Sequence, residues 1–190
     1  MARPLDFDRQ TVLAAAADLI WARGYNAASL ADLTGAMGIS RSSVYNTFGS
    51  KRELLIAVLE CYAAAQVRDL SKLLVENGIR DGLRMLFEST ITDNNQGRGC
   101  LLVNCASEVA PHDTRAATVV REGLNDLTHV IAVQVRQGKE DGELDTSADP
   151  EALARGLITF ITGLRIMAKA GMDRRSLRTM ARQALESLVG

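Results

Sequence analysis

Residues 29–55 read SLADLTGAMGISRSSVYNTFGSKRELL, and the spacing inside this stretch decides the fold. Ser29 precedes Leu30, with Asp32 three residues on, the pattern of a serine cap at a helix start. Leu30, Leu33 and Met37 then recur at helical spacing. Gly38 breaks the run where a tight turn often requires a left-handed residue. Ile39 is of a buried type and sits inside that turn. Ser40 caps a second helix whose inner face is Val44 and Phe48. Ser50 caps a third, with Glu53 completing a capping box. Helix, glycine turn, helix is the arrangement of a helix-turn-helix DNA reader.

The second helix carries the chemistry. With Val44 and Phe48 inward, Arg41, Ser42, Ser43, Tyr45 and Asn46 fall on its outer arc. Arginine pairs with the two acceptors of guanine, and asparagine pairs with adenine. Serine, tyrosine and helix N-terminal amides suit phosphate oxygens. Arg41, Ser42, Ser43 and Asn46 are therefore the candidates for base edges, and Ser29, Ser40, Tyr45 and Lys51 those for phosphates. Lys51 and Arg52 add positive charge close by, and no acidic residue lies between Gly38 and Arg52. A plain helical hairpin with a solvated polar face leaves the three caps, the basic arc and the outward tyrosine without a common reason.

Gly38, Ser40, Val44, Tyr45, Phe48, Lys51 and Leu54 meet, in order and spacing, the pattern of the DNA-binding domain of the TetR family of bacterial transcriptional regulators, which this segment resembles. Two positions depart from it. Thr34 stands where a small alanine usually packs, and Asn46-Thr47 replaces the frequent His-Tyr pair, which leaves base preference open. The resemblance implies a homodimer whose two heads sit in successive major grooves of a palindromic operator in double-stranded DNA. It also implies a helical body that binds an inducer and releases the operator, most often as a repressor.

The rest of the chain is compatible with that expectation. Its 190 residues allow one or two compact domains, and 47% apolar with 24% charged residues is ordinary for a globular chain. The net charge of -1, and six basic against six acidic residues in 1–60, make DNA binding a matter of local placement. Three cysteines, Cys61, Cys100 and Cys105, read as free thiols of a reducing cytoplasm. The N-terminus carries no apolar signal core, and no apolar run reaches the length of a membrane span. No segment reads better as a strand than as a helix, so the expected fold is all-α. Within it, residues 1–52 are expected to form the helix-turn-helix domain and 53–190 the larger ligand-binding and dimerisation bundle.

In chain order, Asp8 caps a first helix with Val12, Ala16, Leu19 and Ile20 as its stripe, ending at Gly24. The helix from Lys51 runs towards Leu74, too long to belong to the head alone, and links head to body without a flexible connection. Asn77-Gly78 stops it, and Ile79, Leu83, Leu86 and Phe87 mark the inner face of the next helix. Thr92 to Gly99 form a polar loop, Cys100 opens a helix that Pro111 ends, and Asp113 caps a long helix running near Gly138. Leu83, Phe87, Leu102, Leu127 and Phe160 are the expected ligand lining.

The last two helices carry a second message. From Pro150 to Gly171 small residues, Ala152, Gly156, Thr159, Gly163 and Ala170, repeat along one side of an otherwise large apolar helix. Met167 on that helix, with Leu177, Ala184 and Leu188 on the closing one, completes the surface expected to pair with a symmetry mate as a four-helix bundle. Cofactors and metals are not expected, because no Cys/His cluster has ligand spacing and no phosphate-cradling loop or nucleophile elbow occurs. Cys100 follows Arg98 at a helix start, where a thiol pKa falls. The segment Gly99 to Asn104 is similar to that of a TetR subgroup, some of whose members respond to electrophiles through the matching cysteine, which makes Cys100 the candidate sensor. The alternatives to a regulator are an enzyme using Cys100 as nucleophile and a helical adaptor that binds protein alone.

Overall fold

A computed structural model describes residues 7–92, 98–144 and 147–187, and the backbone of 188–189. The helices are α1 Arg9–Arg23, α2 Leu30–Met37, α3 Arg41–Phe48, α4 Lys51–Thr92, α5 Leu101–Glu108, α6 Thr114–Glu140, α7 Pro150–Lys169 and α8 Arg174–Val189, with a 3-10 turn at Ala110–His112. No strand occurs among the described residues, and the fold is all-α as expected.

Two compact units divide the chain: Met1–Ala65 with Leu101–Gly123, and Gln66–Cys100 with Leu124–Gly190. In the first, α1 packs against α2 and α5. Asp8 caps α1 by accepting from the Gln10 and Thr11 amides at 3.3 and 3.0 Å. Val12, Ala16 and Ile20 of the expected stripe are buried and Leu19 is half-buried, while Leu13 is a further buried member. Leu33, Val44, Leu54, Leu55 and Leu59 are buried in the same unit, each at most 1% exposed. A side chain buried this fully contributes about 1.5–3 kcal/mol. Trp21 lies at the edge of this core, its ring 5.6 Å from that of Tyr62 in an edge-to-face pair.

In the second unit α4 breaks where the sequence says it must. Gly78 adopts φ 73°, ψ 168°, a conformation that side chains resist, and a kink there leads into a second helical segment. Glu143 caps that segment, accepting from the Arg80 amide at 2.9 Å and the Ile79 amide at 3.4 Å. Leu83, Phe87, Ile131, Val135, Leu157, Ile161 and Leu164 form the core here, and Phe87 meets Phe160 edge-to-face at 5.6 Å. Helix α6 continues through Gly138 to Glu140. A Cβ on Gly138 would lie 2.7 Å from Ile79 Cγ2, so this glycine serves close packing and not termination.

Candidate nucleic-acid interface

Ser29 and Asp32 form a complete capping box, with the Ser29 hydroxyl accepting from the Asp32 amide at 3.1 Å and Asp32 accepting from the Ser29 amide at 2.9 Å. Asp32 also accepts from the Ser29 hydroxyl at 2.6 Å, and these bonds hold its carboxyl below the ordinary range. Gly38 ends α2 in the left-handed region at φ 65°, ψ 23°. No atom lies within 4 Å of where its Cβ would be, so conformation alone, not space, demands glycine. The Ile39 amide bonds back to Thr34 O at 3.3 Å and turns the chain into α3.

Ser40 opens α3, its hydroxyl accepting from the Ser43 amide at 3.0 Å and sharing hydrogen bonds of 2.8 Å with the Ser42 and Ser43 hydroxyls. Val44 and Phe48 are buried, and the Arg9 guanidinium lies over the Phe48 ring. Arg41, Ser42, Tyr45 and Asn46 are exposed, with Ser43 half-buried. The Arg41 guanidinium carbon stands 5.8 Å from the Tyr45 ring centre, a cation–π contact that pre-aligns two of the exposed groups. The outer arc expected from spacing is therefore present on a capped, eight-residue helix.

The flanking cations differ from expectation. Lys51 Nζ donates to Tyr25 O at 2.8 Å and lies 4.3 Å from the Tyr25 ring centre. It braces the α1–α2 turn with one of its three N–H donors. Arg52 is held by Asp113 at 2.5 and 2.9 Å and by Glu53 at 3.0 Å. Glu53 also accepts from Arg115, while its amide completes the Ser50 cap at 3.1 Å. The local charge free of acid along the sequence is thus balanced in space by a residue sixty-one positions away. The Arg52 guanidinium, followed by the Ala116 amide, holds the Asp113 carboxyl at about 2. Sequence reasoning missed one more group: Glu108 at the end of α5 accepts from the Tyr25 and Asn26 amides at 3.1 and 2.8 Å, fixing the turn that sets α2 against α1.

Among the described clefts, the expected ligand residues are divided: Leu127 lines one and Phe87 another. A cleft of about 230 Å³ in the second unit is lined by Leu70, Leu73, Leu86, Leu127, Ile158 and Ile161, with Asp69, Gln66, Ser89 and Arg165 as its polar groups. Of the expected lining only Leu127 belongs to it. Leu83 is wholly buried in the core, Phe87 and Phe160 pack on each other, and Leu102 lies in the first unit against Gly123. Cys100, the candidate sensor, is buried, 3% exposed. On α7, Ala152 and Thr159 are exposed, Met167 is 42% and Ile166 52% exposed, and nothing lies within 4 Å of a Cβ on Gly163. Gly156 and Ala184 are half-buried. Leu177 is 1% exposed and belongs to the unit's own core, which removes it from the expected dimer surface. The side chain of Leu188 lies outside the described residues. Among the described residues, no helix is long and apolar enough to cross a membrane.

Comparison with known proteins agrees with this geometry. Residues 12–58 match the family described as bacterial regulatory proteins, tetR family, and residues 81–184 match the tetracyclin repressor-like C-terminal domain. The HTH-type transcriptional regulator YezE of Bacillus subtilis is 30% identical over 181 residues, 92% of this chain and 93% of its own length. The HTH-type transcriptional repressor ComR of Escherichia coli is 29% identical over 186 residues, 94% of this chain and 88% of its own. Among solved structures, a cysteine mutant of the TetR family transcriptional regulator CifR, complexed with 26-bp double-strand operator DNA, is similar at TM-score 0.83 and 33% identity, covering 97% of this chain and 99% of that one.

Proposed function

The chain belongs to the tetR family of bacterial regulatory proteins and is a DNA-binding transcriptional regulator; on that premise we propose that it is a homodimeric repressor which an inducer releases from a palindromic operator. Residues 1–52 act as the reading head and 53–190 as the ligand-binding and dimerisation body. The observation that carries the reading is the exposed arc of α3. Arg41, Ser42, Tyr45 and Asn46 stand clear of the core on a helix whose start is fixed by Ser40 and whose inner face is locked by Val44 and Phe48. Arg41 and Asn46 suit base edges, with Ser42 and Ser43 beside them. Tyr45 and the helix-start amides behind Ser29 and Ser40 suit phosphates. Two such heads, joined through the small-residue face of α7 and its neighbour α8, read half-sites about one helical turn apart.

The inducer occupies the cleft between α4, α6 and α7. Leucine and isoleucine side chains with one arginine and one aspartate suit a small apolar molecule bearing a polar group. Release follows if that molecule binds the head spacing that cannot span successive grooves better than the spacing that can. A thiol-reactive inducer acting at Cys100, as in the subgroup that shares the Gly99 to Asn104 segment, is the second form of the same switch, and the burial of Cys100 favours the first. The test is fluorescence anisotropy with DNA flanking the protein's own gene. The wild type should bind with steep salt dependence, and Arg41→Ala/Asn46→Ala should lose on the order of a hundredfold in affinity or more. Equal binding by the double variant removes α3 as the reader.

A further inference from the structure

A larger cleft, of about 590 Å³, opens in the second unit between the second segment of α4 and α8. Its residues are distinct from those of the α4–α6–α7 cleft. The apolar part is formed by Phe87, Ala181 and Leu185. Four arginines, Arg84, Arg175, Arg178 and Arg182, stand around it against two carboxylates, Glu88 and Glu186. The excess of positive charge is not spent inside the protein. Arg84 pairs with Asp81, and Arg178 is held by both oxygens of Glu88 at 3.2 Å. Among the described residues no carboxylate pairs with Arg175 or Arg182, which follow one another seven positions apart along α8. On a helix that separation places both on one side, two turns apart.

A chain that needed only to solvate α8 has no reason to gather guanidinium groups around a concave apolar floor. Cavities of this size enclose drug-sized molecules, and paired guanidinium groups match the planar, bidentate acceptor of a carboxylate. We propose that this cleft is a second small-molecule site, separate from the inducer cleft, and that it takes an amphiphilic organic carboxylate. The anionic head lies between Arg175 and Arg182, and the apolar body lies over Phe87 and Leu185. Arg178, already neutralised by Glu88, shapes the wall and adds little to the recognition.

Isothermal titration calorimetry of the full chain with decanoate tests this. Decanoate should bind the wild type, while acetate and decan-1-ol, each lacking one half of the chemistry, should bind at least about tenfold more weakly. Arg175→Gln/Arg182→Gln should weaken decanoate on the order of tenfold or more, with its thermal melt unchanged because both side chains are exposed. Arg68→Gln/Lys72→Gln, an equal change of charge on the exposed face of α4, should leave it unaltered. No decanoate binding by the wild type, equal loss in the two double variants, or full affinity in Arg175→Gln/Arg182→Gln overturns the proposal. Operator binding by Arg175→Gln/Arg182→Gln in the absence of decanoate should match the wild type, so the fate of this site is read apart from the fate of the DNA-binding assignment.

Discussion

Replacing Glu108 by alanine and by glutamine tests how the head is held in its reading geometry. Its carboxylate accepts from the Asn26 amide at 2.8 Å and from the Tyr25 amide at 3.1 Å. Charge-assisted hydrogen bonds shielded from water contribute ~1.5–3 kcal/mol each. Asn26 is exposed and Tyr25 and Glu108 are half-buried, so water recovers part of the loss on removal. For Glu108→Ala this leaves about 2 kcal/mol for the pair, or a fall in Tm of about 4–8 °C for a chain of this size. Glu108→Gln keeps one acceptor oxygen without charge and should lose about half as much. Differential scanning calorimetry reads the stability, and anisotropy on the operator reads the consequence, because the same turn sets α2 and hence α3. Both variants melting within about 1 °C of the wild type would refute the reasoning.

The ion pair beside that turn gives a pH signature. The Asp113 carboxyl, held at about 2 first by Arg52, contributes stability that is complete above its ordinary value of 3.8 and is lost as the pH falls toward 2. Urea melts between pH 6 and pH 2.5 should show a shallower acid loss in Asp113→Asn, and an acid limb identical to the wild type contradicts the pairing. Met167→Glu with Ile166→Glu places charge on the exposed side of α7, and sedimentation should show monomers at micromolar concentration together with failure to bind operator; an unaltered dimer moves the interface elsewhere. N-ethylmaleimide should label the half-buried Cys61 well before the buried Cys100. Rapid labelling of Cys100 with loss of operator binding would return the inducer to thiol chemistry.

The caps, the glycine turn and the inner faces of the first three helices were legible because each is set by residues within four positions of one another. Ser29, Gly38, Ser40 and Asp8 do in the structure what their spacing implies. The break at Gly78 was legible for the same reason. Partners distant along the chain were not. Nothing near Arg52 in sequence announces Asp113, and nothing near Tyr25 announces Glu108. Charge counted along the sequence therefore overstated the free cations of the head, of which Arg41 keeps its charge facing outward on α3. Face allocation in the body failed where a helix is apolar on most sides. Leu177 is core and not interface, and Leu83 is core and not cavity, because the neighbours that cover them come from other helices. The long helix expected to run near Gly138 ends at Glu140, and the close approach of Ile79 is what requires the glycine there.

In vitro selection of random duplexes by the 190-residue protein, read by sequencing, shows directly whether two α3 arcs read DNA together. Enrichment of a two-fold symmetric sequence with half-sites about one helical turn apart is expected, with base preference that relaxes within each half-site when Arg41 or Asn46 is replaced by alanine. Enrichment of no symmetric sequence, or of the same sequence with undiminished preference by those variants, would contradict it.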